Sequence, residues 1–80
     1  MSRIPPRVGT AEKDVLHRLI QLGTWSANDP ALYESRVFTE SLIQRLVTRG
    51  YASEDMKKSP VVYRPTPAGH KWAQSNPRRY

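Results

Sequence analysis

The stretch "VFTESLIQRLVTRGYAS", residues 37–53, carries the densest structural signal in the chain. Leu42, Ile43, Leu46 and Val47 recur at the three- and four-residue spacing of an amphipathic helix. Thr39 is a cap-type residue, and Phe38 before it with Ile43 four positions after it matches a hydrophobic staple. Gly50 stands where a helix end favours a left-handed residue, and Tyr51 follows it to pack back. The reading predicts a helix over 39–49 with Phe38, Leu42, Ile43, Leu46 and Val47 facing the core. Glu40, Ser41, Gln44, Arg45, Thr48 and Arg49 then form its outer face. Such a face is either simply solvated or holds a partner, and the rest of the chain bears on the choice.

Upstream, "TAEKDVLHRLIQLG" (residues 10–23) reads as a helix capped by Thr10 and stopped by Gly23. Ala11, Val15, Leu16, Leu19, Ile20 and Leu22 supply its apolar positions, and Glu12 and Asp14 suit the positive helix start. "TWSA" is short enough for a brief strand with Trp25 turned inward. Asp29 before Pro30 is a strong helix-start signal, predicting about two turns with Leu32 and Tyr33 inward. Downstream, "YAS" and "VVYR" read as two strands joined by the polar loop "EDMKKSP". "TPAGHKWAQ" starts a last helix, with Thr66 as cap, Pro67 at the first position and Trp72 sealing the core. Residues 1–9, with Pro5, Pro6, Arg3 and Arg7, read as an arm, residues 75–80 as a basic tail, and residues 10–74 as the domain.

An 80-residue chain allows one small domain. The absence of cysteine excludes disulfide stapling, thiolate metal sites and cysteine nucleophiles. Thirteen Lys and Arg against seven Asp and Glu give a net charge of +6, which favours a polyanionic partner. No run approaches the roughly 18 apolar residues of a membrane span. The start "MSRIPPRVG" lacks the apolar core of a signal peptide, so a cytoplasmic location is expected.

The predicted order is helix, short strand, helix, helix, strand, polar loop, strand, helix, an α+β domain in which a hairpin packs beside helices. This order resembles the winged helix-turn-helix fold. "SLIQRLVTRGYAS" is similar to the end of the third helix and the first wing strand of MarR-like and PadR-like regulators. "VVYRPTPAGHKWA" resembles the second wing strand running into the next helix, with a Thr-Pro-x-Gly turn. The resemblance covers residues 10 to 74 and implies three helices, a two-stranded wing over 54–60 and a short C-terminal helix. It also implies a DNA-binding regulator of transcription, with the helix over 39–49 in the major groove and the wing on the backbone.

The residue chemistry is compatible with that role. Gln44 and Arg45 have donor and acceptor forks that match adenine and guanine edges. Thr39, Ser41 and Thr48 can bond a phosphate or a base, and Arg49 completes the face. Lys57 and Lys58 at the wing tip suit phosphate, and Arg36 and Arg64 can also meet the backbone. Glu40 stabilises the helix start but repels phosphate, although a carboxylate can accept from cytosine. Lys71, Arg78 and Arg79 put much of the charge excess in residues 66–80, outside the helix over 39–49. An enzyme is not expected: His17 and His70 have no partner at metal-ligand spacing, and no Gly-rich phosphate loop appears. No cofactor or metal is expected. Double-stranded DNA is the expected partner, bound by a monomer or a homodimer, with no membrane. The alternatives are a protein-interaction module docking on a larger complex, and RNA binding.

Overall fold

The computed structural model describes residues 9–77. The expected arm up to residue 8 and the tail from residue 78 onward lie outside the described residues. Among the described residues there are three helices and a three-stranded antiparallel sheet. In chain order these are α1 (Thr10–Leu22), β1 (Trp25–Ser26), α2 (Arg36–Arg49), β2 (Ala52–Asp55), β3 (Val62–Pro65) and α3 (Pro67–Ser75). The sheet order is β1-β3-β2, so the hairpin gains β1 as a third strand.

The two long helices bury the same pattern of positions. In α1 these are Glu12, Val15, Leu16 and Leu19, and in α2 they are Thr39, Leu42, Ile43 and Leu46. Each set follows the i, i+3, i+4, i+7 stripe, and each begins with a polar residue. Trp25 of β1 and Tyr63 of β3, directly paired, close the core from the sheet side with ring centroids 6.3 Å apart. Both rings are essentially inaccessible to water, so each contributes on the order of 2 kcal/mol or more of apolar burial. The wider stripe expected for α1 is trimmed, because Leu22 is exposed.

Gly23 ends α1 with φ +89° and donates to the Leu19 carbonyl. Gly50 ends α2 in the left-handed conformation, donating to Val47 O while Tyr51 N–H reaches Leu46 O at 2.9 Å. This pair of bonds is a Schellman cap, and it turns the chain into β2. Thr66 caps α3 through Gly69 N–H at 3.1 Å, with Pro67 inside the first turn. Tyr51 and Trp72 stack at 5.6 Å, holding α3 against the exit of α2. His17 on α1 bonds the Asn76 carbonyl at 2.8 Å and so ties α1 to the end of α3.

Three sequence expectations are corrected. Thr10 does not cap α1: Gly9 occupies the cap position and Thr10 is the first helical residue.

The second expected helix, from Asp29 and Pro30, does not form, and residues 27–35 are turns, bends and irregular backbone. Its local start signal loses to nearby partners. The Asp29 carboxylate turns back to accept from Ser26 N–H at 2.8 Å. The Pro30 carbonyl accepts the Trp25 indole N–H at 2.9 Å. Leu32 and Tyr33 donate their N–H groups to Thr39 Oγ1 instead of to preceding carbonyls. Glu34 sits at φ +56°, a conformation that no right-handed helix continues through.

The third correction concerns the start of α2. The helix begins at Arg36, three residues earlier than expected, and Ser35 is its cap, accepting from Phe38 N–H at 3.1 Å. Thr39 therefore lies inside the helix. Phe38 is 39% exposed, so the staple with Ile43 is not made; its ring instead leans on Tyr33 at 5.6 Å.

Candidate nucleic-acid interface

Burial of Thr39, Leu42, Ile43 and Leu46 fixes the orientation of α2. The opposite strip consists of Val37, Ser41, Gln44 and Thr48, all exposed and all uncharged. Thr48 Oγ1 donates back to the Gln44 carbonyl at 3.2 Å. Arg36 is exposed at the helix start. The charged residues of the helix lie on its two flanks, and each flank is engaged with a neighbouring element.

One flank faces α1. Glu12 is buried, and its carboxylate accepts from Arg49 Nε at 2.9 Å and lies 3.6 Å from Arg45 Nη1. The two arginines are not equivalent: the Arg49 side chain is 19% exposed and the Arg45 side chain 65%. Arg49 clamps α1 to α2. Arg45 keeps its reach into solvent, and exchanging its long ion pair with Glu12 for a phosphate costs little.

The other flank faces β3. The Tyr63 hydroxyl donates to Glu40 Oε2 at 2.9 Å and accepts from Gln44 Nε2 at 3.4 Å. Burial pushes the Tyr63 phenol above its ordinary pKa. The Gln44 hydrogen bond opposes that rise, and the carboxylates of Glu40 and Glu54 add to it. Tyr63 is therefore a neutral donor throughout the physiological range, and it ties the sheet to the first half of α2.

The hairpin beyond this flank is ordered by Asp55. Its Oδ1 accepts from Lys57 N–H at 3.1 Å, and its carbonyl accepts from Lys58 N–H at 3.4 Å. Arg64 lies 3.9 Å from the same carboxylate, diagonally across the β2–β3 pair. Both lysine side chains are exposed.

Of the ten residues read from the sequence as a contact surface, Arg36, Ser41, Gln44, Arg45, Thr48, Lys57, Lys58 and Arg64 are exposed. Two are not available. Thr39 is completely buried, and its hydroxyl is saturated. It accepts from Leu32 and Tyr33 N–H at 3.0 and 3.1 Å and donates to the Ser35 carbonyl at 2.7 Å. Arg49 is held by Glu12, as described.

Glu12 and Tyr63 are the organising residues that sequence reasoning missed. Glu12 falls on the 12, 15, 16, 19 stripe, so helical spacing alone carries the signal of its burial. Tyr63 occupies the inward position of a strand, but nothing local points to Glu40. The surface also carries exposed apolar groups: Val37 at 81%, Met56 at 71% and Phe38 at 39%. No family model and no curated protein matches the chain. Among the described residues no helix is long and apolar enough to cross a membrane.

Proposed function

We propose that the chain is a winged-helix domain that binds duplex DNA and regulates transcription in the cytoplasm. The observation that carries this reading is the outer strip of α2, where Ser41, Gln44 and Thr48 lie exposed between Arg36 and Arg45. In this reading α2 enters the major groove. Gln44 and Arg45 meet base edges, and Ser41, Thr48 and Arg36 bond backbone or bases. The β2–β3 hairpin is the wing, and Lys57, Lys58 and Arg64 grip phosphate beside the groove. The helix order, with β1 between α1 and α2 and the hairpin after α2, supports the winged-helix assignment. The first helix of the helix-turn-helix is here replaced by the Thr39-centred turn structure of residues 27–35.

The test is a selection of bound duplexes from random DNA by the full chain, repeated at two salt concentrations. An enriched motif is expected, and its symmetry distinguishes a monomer from a dimer. Gln44→Ala or Arg45→Ala should weaken binding to that motif by roughly 1–3 kcal/mol. Absence of duplex binding in low salt would rule the reading out.

One observation favours a second reading, a module that docks on a protein complex. Val37 and Phe38 expose apolar surface on the first turn of α2, where a reading helix meets base edges. A pull-down yielding one stoichiometric protein partner, with no retained DNA, would establish it.

A further inference from the structure

Glu40 is the residue that the duplex-binding reading does not absorb. A carboxylate on the groove-facing half of a DNA-binding helix repels phosphate, and a freely rotating one would turn to solvent. Here it is not free. Tyr63, itself buried and anchored by β1 and β2, holds Oε2 at 2.9 Å. Among the described residues the Glu40 carboxylate has no other hydrogen bond, so Oε1 keeps both lone pairs. Gln44, one turn further along, gives one N–H to the same hydroxyl at 3.4 Å and keeps its carbonyl oxygen open. Three side chains from two elements therefore present a fixed pair of acceptors at one edge of the exposed strip.

In the major groove only cytosine and adenine offer an exocyclic amino donor; guanine and thymine present oxygen acceptors there. We propose that Glu40 is a specificity-determining residue that selects an amino-bearing base, cytosine or adenine, at the position facing it, and that Tyr63 is its positioning residue. Guanine and thymine at that position set O6 or O4 against a carboxylate that Tyr63 prevents from turning away. Glu40 thus adds discrimination, by rejecting wrong bases more than by strengthening the right one. The inference rests on the duplex-binding reading and adds a defined preference to it.

The experiment compares the full-length wild type with Glu40→Gln and Tyr63→Phe. Bound duplexes are selected from random DNA, and affinities are then measured for the best site and its single-base variants. Thermal unfolding confirms that each variant is folded. The wild type should prefer cytosine or adenine over guanine or thymine at one position by about 10-fold or more. In Glu40→Gln that ratio should collapse toward 1, because an amide both donates and accepts, while random duplexes bind more tightly. Tyr63→Phe should lower the ratio at the same position and leave unchanged the positions that neither Glu40 nor Gln44 faces.

An unchanged ratio in Glu40→Gln overturns the proposal, as does a wild type that binds duplexes with no amino-base preference at any position. Equal weakening at all positions in Tyr63→Phe removes the positioning role. If the wild type binds no duplex even in low salt, the broader reading fails first, and that result is distinct from all of these.

Discussion

Removing the buried carboxylate of Glu12 separates what the two arginines of α2 do. Glu12 is 7% exposed at its side chain and bonds the largely buried Arg49 at 2.9 Å, whereas solvent-exposed Arg45 lies 3.6 Å from it. A charge-assisted bond in such a setting is worth about 1.5–3 kcal/mol, and an exposed pair about 0.2–1 kcal/mol. Glu12→Ala also removes the packing of the side-chain stem against α2. The expected cost is about 2–3 kcal/mol, which lowers the melting temperature of a domain this size by roughly 10–20 °C. Glu12→Gln keeps the shape and one acceptor and should cost about half as much.

A double-mutant cycle then assigns the energy to partners. Coupling between Glu12 and Arg49, measured with Arg49→Met, should exceed about 1.5 kcal/mol. Coupling with Arg45→Met should stay below about 1 kcal/mol. Urea unfolding monitored by circular dichroism provides both numbers. Equal couplings, or a Glu12→Ala cost under about 0.5 kcal/mol, would refute the division between a structural Arg49 and an available Arg45.

Three further outcomes follow from the same geometry. A Cβ at Gly69 would lie 2.1 Å from the Tyr51 carbonyl oxygen, a backbone atom, so Gly69→Ala must push α3 away from the end of α2. A destabilisation of about 2 kcal/mol or more is expected in chemical unfolding, with the Tyr51–Trp72 stack weakened in near-ultraviolet circular dichroism. Thr39→Val keeps the shape but leaves the Leu32 and Tyr33 N–H groups without their acceptor, at a cost of about 2–4 kcal/mol. Amide hydrogen exchange at those two residues should accelerate more than in the rest of the loop. Because the Tyr63 pKa is raised in the folded state, its contribution to stability is complete below the ordinary tyrosine value and is lost as pH rises through the folded value. Phenolate absorbance should therefore show Tyr63 titrating above the ordinary tyrosine value, and Tyr63→Phe should flatten the alkaline fall in stability.

The elements that were legible in the sequence are those whose signals are local. Gly50 and Tyr51 end α2 and Thr66 and Pro67 start α3, both where the sequence signals place them. The structure also explains why these two motifs belong together. Thr66 N–H bonds the Tyr51 carbonyl at 3.1 Å, Thr66 Oγ1 donates to the Gly50 carbonyl at 2.6 Å, and Gly69 lies against the same Tyr51 backbone. The Thr-Pro-x-Gly turn is the docking surface for the end of the preceding helix.

The residues that the sequence misplaced are those whose partners lie elsewhere in the fold. Asp29 and Thr39 both have cap-type side chains, but Asp29 closes a turn on Ser26, and Thr39 gathers a loop from inside a helix. Arg49 counts as an outer residue by helical spacing, yet it reaches Glu12, 37 positions away in sequence. In the candidate site, the outward Ser41, Gln44 and Thr48 were legible from periodicity alone. The Tyr63–Glu40 tie was not, because a strand register and a helix orientation must both be known before the two groups meet.

The most direct measurement is the affinity of the full chain for duplex DNA between about 50 and 200 mM salt, beside a Lys57→Ala, Lys58→Ala double variant. If α2 sits in the groove and the hairpin grips the backbone, log K falls linearly with log salt. The double variant should then show a slope shallower by about 1.8, at roughly 0.9 for each phosphate that a lysine no longer neutralises. An unchanged slope would take the hairpin out of the interface, and absence of binding at the lowest salt would contradict the account.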